Sequence, residues 1–297
     1  MCTNCGCQGD AALMTDLQTG ETRTLGAADQ AGSSDRSPAH APHSHDHSHL
    51  HGHSNEHTHS HDHGDDLGHG HGGAVKIVDV EMRILAKNDA EAAKNRAWFA
   101  GREILALNFV SSPGAGKTAL LERTIVGLAG DPPLFVIEGD QATANDSERI
   151  RKAGAAVVQI NTDTGCHLDA QMITRALSAL KPSLGALLLI ENVGNLVCPA
   201  LFDLGERAKV VIFSVTDGED KPLKYPHIFR AATIVLLSKI DLLPHLDFSL
   251  DEAIMNVRRV NPEAAICKIS ARTGEGLSDW YSWLRREAAL ARQAAFA

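Results

Sequence analysis

Short, continuous aliphatic runs recur along the chain from residue 104 onward, and polar stretches separate most of them. Runs of this kind are typical of strands that are buried on both faces of a sheet. They predict strands over Ile104–Val110, Leu134–Glu138, Ala156–Ile160, Ala186–Glu191, Lys209–Val215, Thr233–Leu237 and Ala265–Ile269.

The stretches between these runs resemble helices in length and composition. They predict helices over Lys117–Ala129, Ala144–Ala153, Leu168–Leu180, Leu250–Val260 and Leu277–Ala291. Asn88 followed by Glu91 predicts the start of an earlier helix with a capping box, and Gly101 predicts its end. The alternation of strands and helices predicts an α/β domain with a doubly wound, mostly parallel sheet and helices on both faces.

Composition sets the first 73 residues apart from the rest. Residues 1–7 hold three cysteines, residues 8–37 form a polar linker, and residues 38–73 contain thirteen of the sixteen histidines. A segment with so few large apolar residues cannot offset the entropy lost on ordering, so we expect residues 8–73 to be disordered. Residues 74–297 are predicted to form one folded domain.

The charge balance restricts the possible partners. The chain carries 28 Lys and Arg against 37 Asp and Glu, a net charge of −9, which argues against nonspecific binding to nucleic acid or anionic membranes. Its apolar runs are far shorter than the roughly 18 residues that a membrane span needs. Since the N-terminus has neither the basic nor the apolar region of a secretory signal, we expect a cytoplasmic protein.

A phosphate-binding loop follows the first predicted strand. The residues SSPGAGKT (111–118) match the last three positions of the consensus G-x-x-x-x-G-K-[ST], with Ser111 in place of the first glycine. Glycine lets backbone N–H groups turn toward phosphates, Lys reaches the β- and γ-phosphates, and Thr offers a hydroxyl to Mg²⁺. The predicted phosphate-binding residues are Gly114, Ala115, Gly116, Lys117 and Thr118; the alternative is an ordinary glycine-rich turn.

Two later motifs indicate guanine as the base. Residues 238–241 (SKID) resemble the [NT]-K-x-D motif, in which Asp accepts hydrogen bonds from the N1–H and N2–H groups that adenine lacks. Residues 270–272 (SAR) resemble the loop that presents a backbone N–H to guanine O6. GTP is therefore the predicted nucleotide, read by Lys239, Asp241, Ser270 and Ala271; the alternative is that Lys239 and Asp241 are a polar strand end.

Potential metal ligands occur in two groups of the N-terminal region. Cys2, Cys5 and Cys7 have the spacing to wrap one ion, and this spacing alone does not choose between Ni²⁺, Zn²⁺ and an incidental thiol group. Imidazoles then alternate along the histidine tract, which predicts several labile sites for metal storage; a solvated linker is the alternative. The tract is represented by His43, His45, His47, His49, His51 and His53.

A third group of potential ligands lies inside the predicted domain. Cys166 and His167 precede one helix, and Cys198 comes four residues after Gly194. If their strands are parallel neighbours, both loops emerge at the carboxyl edge of the sheet, where the three residues can share an ion, including across a dimer interface. Two cysteines so far apart are otherwise usually small buried apolar residues.

Together these features resemble the hydrogenase nickel-incorporation G proteins, the HypB family. The residues that carry the resemblance are the phosphate loop, EGD (138–140), ENVG (191–194), SKID (238–241) and the cysteine-rich N-terminus. The resemblance implies a SIMIBI-like P-loop GTPase that binds GTP, Mg²⁺, Ni²⁺ and Zn²⁺ and forms a homodimer in response to GTP or metal. It also implies nickel delivery to the [NiFe]-hydrogenase large subunit precursor, with a small nickel- and zinc-binding maturation partner.

The resemblance also implies roles for individual residues. Asp140 stands where the family has a Mg²⁺-linked switch aspartate, Glu191 is a candidate outer-shell Mg²⁺ group, and Gly194 can bond the γ-phosphate. With Lys117, the two acids form the predicted catalytic set, although acids at strand ends are also common as helix caps. We expect slow intrinsic hydrolysis, because catalysis of this reaction is mostly positioning and charge stabilisation.

Three other functions compete with this one. A urease-type nickel-insertion GTPase is related, but we do not expect the cysteine-rich N-terminus there. A metal storage or detoxification protein with a secondary GTPase activity would use the histidine tract without dependence on GTP. A kinase-like phosphoryl transferase would need a basic, anion-binding cluster for its acceptor, and the sequence offers none.

Overall fold

The fold is built on a nine-stranded sheet. The computed structural model describes residues 12–25, 72–140, 145–162 and 165–294. The strands are β1 Ala12–Asp16, β2 Thr22–Leu25, β3 Leu105–Ser111, β4 Leu134–Asp140, β5 Ala156–Asn161, β6 Leu187–Glu191, β7 Ala208–Ser214, β8 Ile234–Ser238 and β9 Ala265–Lys268. Their order is β2-β1-β5-β4-β6-β3-β7-β8-β9, and all neighbours are parallel except β1, which is antiparallel to β2 and β5.

Helices cover both faces of this sheet. They are α1 Gly72–Gly101, α2 Lys117–Leu128, α3 Asn145–Lys152, α4 Ala170–Leu180, α5 Cys198–Leu201, α6 Lys221–Lys224, α7 Pro226–Ala231, α8 Leu250–Val260 and α9 Leu277–Ala294, with a 3₁₀ helix at Ile240–His245. Helices α2, α3 and α9 bury apolar side chains on one face, and α1, α4, α7 and α8 do so on the other. In the parts of the chain that the structure describes, no helix is long and apolar enough to cross a membrane.

The predicted doubly wound, mostly parallel α/β architecture is confirmed. Each of the seven predicted strands and each of the five predicted helices is present within a few residues of its predicted bounds. These elements were recognisable because their apolar side chains pack on both faces of the central sheet, which is the condition that continuous aliphatic runs indicate. The core includes Trp280, whose ring meets Phe109 edge to face and whose Nε1 donates to Thr124 Oγ1 at 3.0 Å.

The predicted start of the first helix was wrong. Helix α1 begins at Gly72 and passes through Asn88, which is buried. The Asn88 side chain donates to the carbonyl of Asp203 at 2.8 Å and accepts the N–H of Ala170 at 2.9 Å, so it satisfies another helix rather than its own. Gly101 is the last residue of the helix, and the left-handed backbone that ends it occurs at Glu103, with φ 58°.

Residues 12–25 form a β-hairpin where the sequence predicted part of a disordered linker, and for these residues that prediction was wrong. Ala12 and Met14 are buried while Leu13 between them is exposed, which is the alternation of a strand with one buried face. Gly20, with φ 73°, provides the left-handed conformation of the turn. Strand β1 pairs with β5, so β5 does not present unpaired backbone groups at the edge of the sheet.

Candidate nucleotide and metal site

The predicted site residues meet at the carboxyl edge of the parallel sheet. Central strand β3 ends at Ser111, and β6 beside it ends at Glu191. Strand β4, beyond β6, ends at Asp140, and β8, beyond β7, ends at Ser238. Since these strands are parallel, their carboxyl ends lie along one edge, where ligands of open α/β sheets bind.

The phosphate loop connects β3 to helix α2 in the predicted way. Gly114 and Gly116 have φ values of 71° and 97°, a left-handed backbone that glycine adopts without steric cost. Ser111, at the consensus glycine position, is the last residue of β3 and is not among the residues with positive φ, so its Cβ is tolerated. Its Oγ accepts a hydrogen bond from Lys117 Nζ at 3.0 Å. Burial lowers the pKa of Lys117, and the negative charge of Glu191 opposes this.

A buried carboxylate pair lies beside this lysine. Thr118 Oγ1 donates to Glu191 Oε1 at 2.9 Å, while Glu191 Oε2 is buried without a hydrogen-bond partner in the described residues. Burial raises the pKa of Glu191 to about 7. Glu138 on β4 pairs with Glu191 across the ladder, and burial raises its pKa to about 8, although Ser147 Oγ donates to its Oε2. A hydroxyl, an unsatisfied carboxylate oxygen and further acids form a donor set of the kind that Mg²⁺ takes.

Two further predicted residues, Asp140 and Gly194, lie close to the phosphate loop. Asp140 is the last residue of β4, and its negative charge also opposes the lowering of the Lys117 pKa. Gly194 packs against the phosphate loop, since a Cβ added there would lie 3.1 Å from Pro113 Cα. The loop after Glu191 is therefore in direct contact with the loop that would hold the phosphates.

The SKID motif supports the phosphate loop from the other side. Lys239, with φ 61°, donates from Nζ to the carbonyl of Gly114 at 2.7 Å. Ser238 Oγ donates to the carbonyl of Ala115 at 2.9 Å. Ser238 stands where related motifs have Asn or Thr, and its hydroxyl still makes the hydrogen bond to the loop.

The predicted base-reading residues also come together. Asp241 Oδ1 accepts from Ser270 Oγ at 2.6 Å, which is the main reason that the pKa of Asp241 is lowered. Arg272 Nη1 lies 3.5 Å from Asp241 Oδ2, and Ala271 lies between Ser270 and Arg272 in the chain. An ionised carboxylate has about four acceptor positions, so Asp241 keeps the capacity to accept two guanine N–H groups.

The three internal metal-ligand candidates form one cluster. The Sγ atoms of Cys166 and Cys198 lie 2.8 Å apart, and Cys166 Sγ lies 3.5 Å from His167 Nδ1. One ligand atom from each residue falls within 4.8 Å of the others. Burial lowers the pKa of His167, which favours the neutral imidazole that binds metal, and its ring packs against Phe202 at 3.8 Å. The third described cysteine, Cys267, is in β9, and burial raises its pKa to about 11.

The remaining predicted ligands lie outside the described residues. They are Cys2, Cys5, Cys7, His43, His45, His47, His49, His51 and His53. Sequence reasoning did not assign Glu138 to the site on its own account, although an acid that ends an aliphatic run was a usable signal. It also missed Asn192, whose side chain Oδ1 accepts the N–H of Leu168, the residue after His167, at 3.1 Å.

Comparison with known proteins gives consistent matches. The family model described as "CobW/HypB/UreG, nucleotide-binding domain" matches residues 105–268. "Hydrogenase maturation factor HypB" of Rhizobium leguminosarum bv. viciae is 58% identical over 214 residues, 72% of each chain. Its namesake from Escherichia coli (strain K12) is 52% identical over 228 residues, 74% of this chain and 79% of that protein. The crystal structure of HypB from Helicobacter pylori in complex with nickel has a TM-score of 0.64 at 38% identity, covering 68% of this chain and 95% of that chain.

Proposed function

We propose that this chain, which belongs to the HypB family of CobW/HypB/UreG nucleotide-binding proteins, is a GTP-hydrolysing nickel metallochaperone of [NiFe]-hydrogenase maturation. One observation carries the proposal. A single loop leaves Glu191, beside Thr118 of the phosphate loop, and reaches Cys198 of the metal cluster. A change at the γ-phosphate can therefore reach a metal ligand through seven residues of chain.

The nucleotide chemistry follows from the residues of the phosphate loop. GTP binds with its phosphates at the N-terminus of α2, where backbone N–H groups and the helix dipole favour anions. Lys117 neutralises charge on the β- and γ-phosphates, and the backbone of Gly194 receives the γ-phosphate. Thr118, Glu191 and Asp140 would hold Mg²⁺, which supplies further neutralisation of the phosphates when bound. These groups position and stabilise charge, so we expect slow intrinsic turnover.

The metal chemistry follows from the thiolates. Cys166, Cys198 and a neutral His167 suit Ni²⁺ or Zn²⁺, and the nickel-bound HypB of Helicobacter pylori supports nickel as the cargo. We extend the proposal to a high-affinity nickel site at Cys2, Cys5 and Cys7 (residues 1–7) and to nickel storage by residues 38–73. Residues 74–297 would then form the GTPase domain, to whose sheet the hairpin of residues 12–25 adds two strands.

The proposed partners follow from the role in maturation. The name of the relatives, hydrogenase maturation factor, supports nickel delivery to the hydrogenase large subunit precursor. A small nickel- and zinc-binding maturation protein would act with it, and a homodimer would form in response to GTP or metal. Neither nucleic acid nor a membrane has a part in this function, in keeping with the net charge of −9.

The test is a comparison of Ni²⁺ affinity in two nucleotide states. It uses the full chain with Cys2, Cys5 and Cys7 changed to Ser, which we call the Ser-head chain. With GDP and with a nonhydrolysable GTP analogue, the internal site should bind Ni²⁺ with different affinities. The difference should disappear in Cys198→Ala and persist in the matched control Cys267→Ala, which removes a thiol outside the cluster.

Metal storage is the second candidate function, because the thirteen histidines of residues 38–73 would give this tract a high capacity for metal. Equal affinity in both nucleotide states would favour it and would contradict a GTP-gated carrier. Deletion of residues 38–73 separates the two functions directly. A chaperone without the tract should keep GTP hydrolysis and nickel delivery when metal is plentiful, whereas a storage protein should lose most of its metal capacity.

A further inference from the structure

A buried chain of polar side chains runs beneath the loop that carries Cys198. Asn192 Nδ2 donates to Asn108 Oδ1 at 3.2 Å, and Asn108 Nδ2 donates to Glu206 Oε1 at 3.1 Å. Glu206 Oε1 lies 2.9 Å from Lys209 Nζ, which also donates to the carbonyl of Pro199 at 3.0 Å. The polar chain therefore connects the residue after Glu191 to the residue after Cys198.

These four polar side chains are buried to an extent that is unusual for amide and charged groups. Asn108 and Asn192 are 0% and 1% exposed, and the side chains of Lys209 and Glu206 are 10% and 5% exposed. Asn108 lies on central strand β3 between the aliphatic residues Ala106 and Val110. Desolvation of a buried ion pair offsets much of its attraction, so well-packed apolar residues would stabilise the sheet at least as well. Fold stability alone does not account for these residues.

Each end of this series of polar side chains is hydrogen-bonded to a segment of the metal cluster. At one end, Asn192 Oδ1 accepts the N–H of Leu168, which follows His167. At the other end, Lys209 holds the carbonyl of Pro199, which follows Cys198. The same side chains thus fix the two loops whose convergence brings the thiols and the imidazole together.

We propose that Asn108, Glu206 and Lys209 are positioning residues of the internal metal site, which keep the Cys166–His167 segment and Cys198 in register. Through Asn192 these residues also connect the position of the metal ligands to Glu191 at the nucleotide site. This inference rests on the proposed function for the identity of the metal site. Outer-shell partners that hydrogen-bond a ligand typically change metal affinity by about 10- to 100-fold when they are removed, and we expect about tenfold for these residues, which bond to the backbone beside the ligands.

Two variants of the Ser-head chain test the inference. Glu206→Gln combined with Lys209→Met removes both charges together, so neither is left buried without a partner. Asn108→Ala interrupts the chain without changing any charge. The matched control is Asn256→Ala, since Asn256 is also buried but donates to the backbone carbonyl of Glu219, at a loop outside the metal cluster.

Co²⁺ is the probe, because thiolate-to-cobalt charge-transfer absorption reports ligation by cysteine and is silent for the histidine tract. Titrations are made without nucleotide, with GDP and with a nonhydrolysable GTP analogue. We expect both variants to bind Co²⁺ at least about tenfold more weakly than the Ser-head chain. They should also lose the difference between nucleotide states, while Asn256→Ala keeps both properties and GDP affinity stays unchanged throughout.

Each outcome decides the question. If Asn108→Ala keeps the Co²⁺ affinity and the nucleotide response of the Ser-head chain, the inference is overturned. This holds even if circular dichroism shows that the double variant is unfolded. If the Ser-head chain binds Co²⁺ equally in both nucleotide states, the proposed GTP gating fails, and the nucleotide-free titrations still decide the positioning role. If the Ser-head chain gives no charge-transfer absorption, the metal site and the inference fall together.

Discussion

The carboxyl group of Glu138 should make the folded protein less stable as the pH rises. It is 2% exposed at the end of an aliphatic run of β4, opposite the second buried acid, Glu191. Burial raises its pKa from an ordinary value of 4.5 to about 8. The informative substitution is Glu138→Gln, because an amide keeps the shape and cannot ionise, and the Ser147 hydroxyl can still bond to its oxygen.

The magnitude and sign follow from the two pKa values. Below pH 4.5 the folded and unfolded chains both hold the proton, so Glu138 adds no pH dependence. Between pH 4.5 and about 8 the unfolded chain releases a proton that the folded chain retains. The free energy of unfolding therefore falls by about 1.4 kcal/mol per pH unit, which amounts to about 3 kcal/mol by pH 7. Glu138→Gln should recover about 3 kcal/mol at pH 7 and nothing near pH 4.

The assay is urea unfolding, followed by circular dichroism between pH 5 and 8 without nucleotide or metal. The free energy of unfolding should fall with pH more steeply in wild type than in Glu138→Gln, and the difference in slope should correspond to one proton. The slope that remains in Glu138→Gln should include the titration of Glu191. Ser147→Ala should extend the loss above pH 8 in curves continued past that value, because the Ser147 hydroxyl lowers the pKa of Glu138 and the folded chain without it keeps the proton to higher pH. Exposed Glu148→Gln is the control for losing a carboxylate. Parallel curves for wild type and Glu138→Gln would refute the desolvation argument.

Three further substitutions and one control have defined outcomes. Lys117→Ala should abolish GTP hydrolysis, measured as phosphate release, and leave the urea midpoint near wild type; wild-type turnover would contradict its role at the phosphates. Asp241→Asn should shift nucleotide preference from guanine toward xanthine in competition binding, since an amide can donate to the 2-oxo group, and an unchanged preference would count against base reading. Gly205→Ala should cost more than about 2 kcal/mol in urea unfolding, because φ is 89° and the new Cβ would lie 2.6 Å from the carbonyl oxygen of Ala92. Gly101→Ala, which has open space, should be near neutral.

The central sheet was predictable because its strands are buried on both faces and therefore read as continuous aliphatic runs. The hairpin was not, because it depends on pairing between Leu13 and Asn161, which are far apart in the chain. Asn88 misled for a related reason. Its side chain has the chemistry of a helix cap, and only the tertiary structure makes it a partner of Asp203 and Ala170 instead.

Some parts of the candidate site were predictable from the sequence, and others were not. The phosphate loop and the SKID motif were predictable because a fixed local sequence supplies both the backbone turn and the chemistry, and the comparisons confirm the resemblance to the HypB family. The roles of Asn108 and Lys209 were not predictable. These residues are neighbours only because β3 and β7 pair in this register, so no local pattern marks them. Apart from the hairpin of residues 12–25, the division of residues 1–73 and their metal binding stay predictions.

The hairpin also determines where the N-terminal cysteines are attached. Cys7 lies five residues before β1 begins, and Cys166 lies five residues after β5 ends, while Leu13 pairs with Asn161 where these two strands meet. Five residues of fully extended chain reach at most about 17 Å. The Cys7 and Cys166 thiols are therefore each attached within about that distance of neighbouring points on one edge of the sheet. If both sets of thiols bind metal as proposed, an ion released by one set would meet the other at an effective concentration in the millimolar range, far above that of the protein in solution. Exchange of the ion between the two sets of thiols would then not depend on the concentration of the protein.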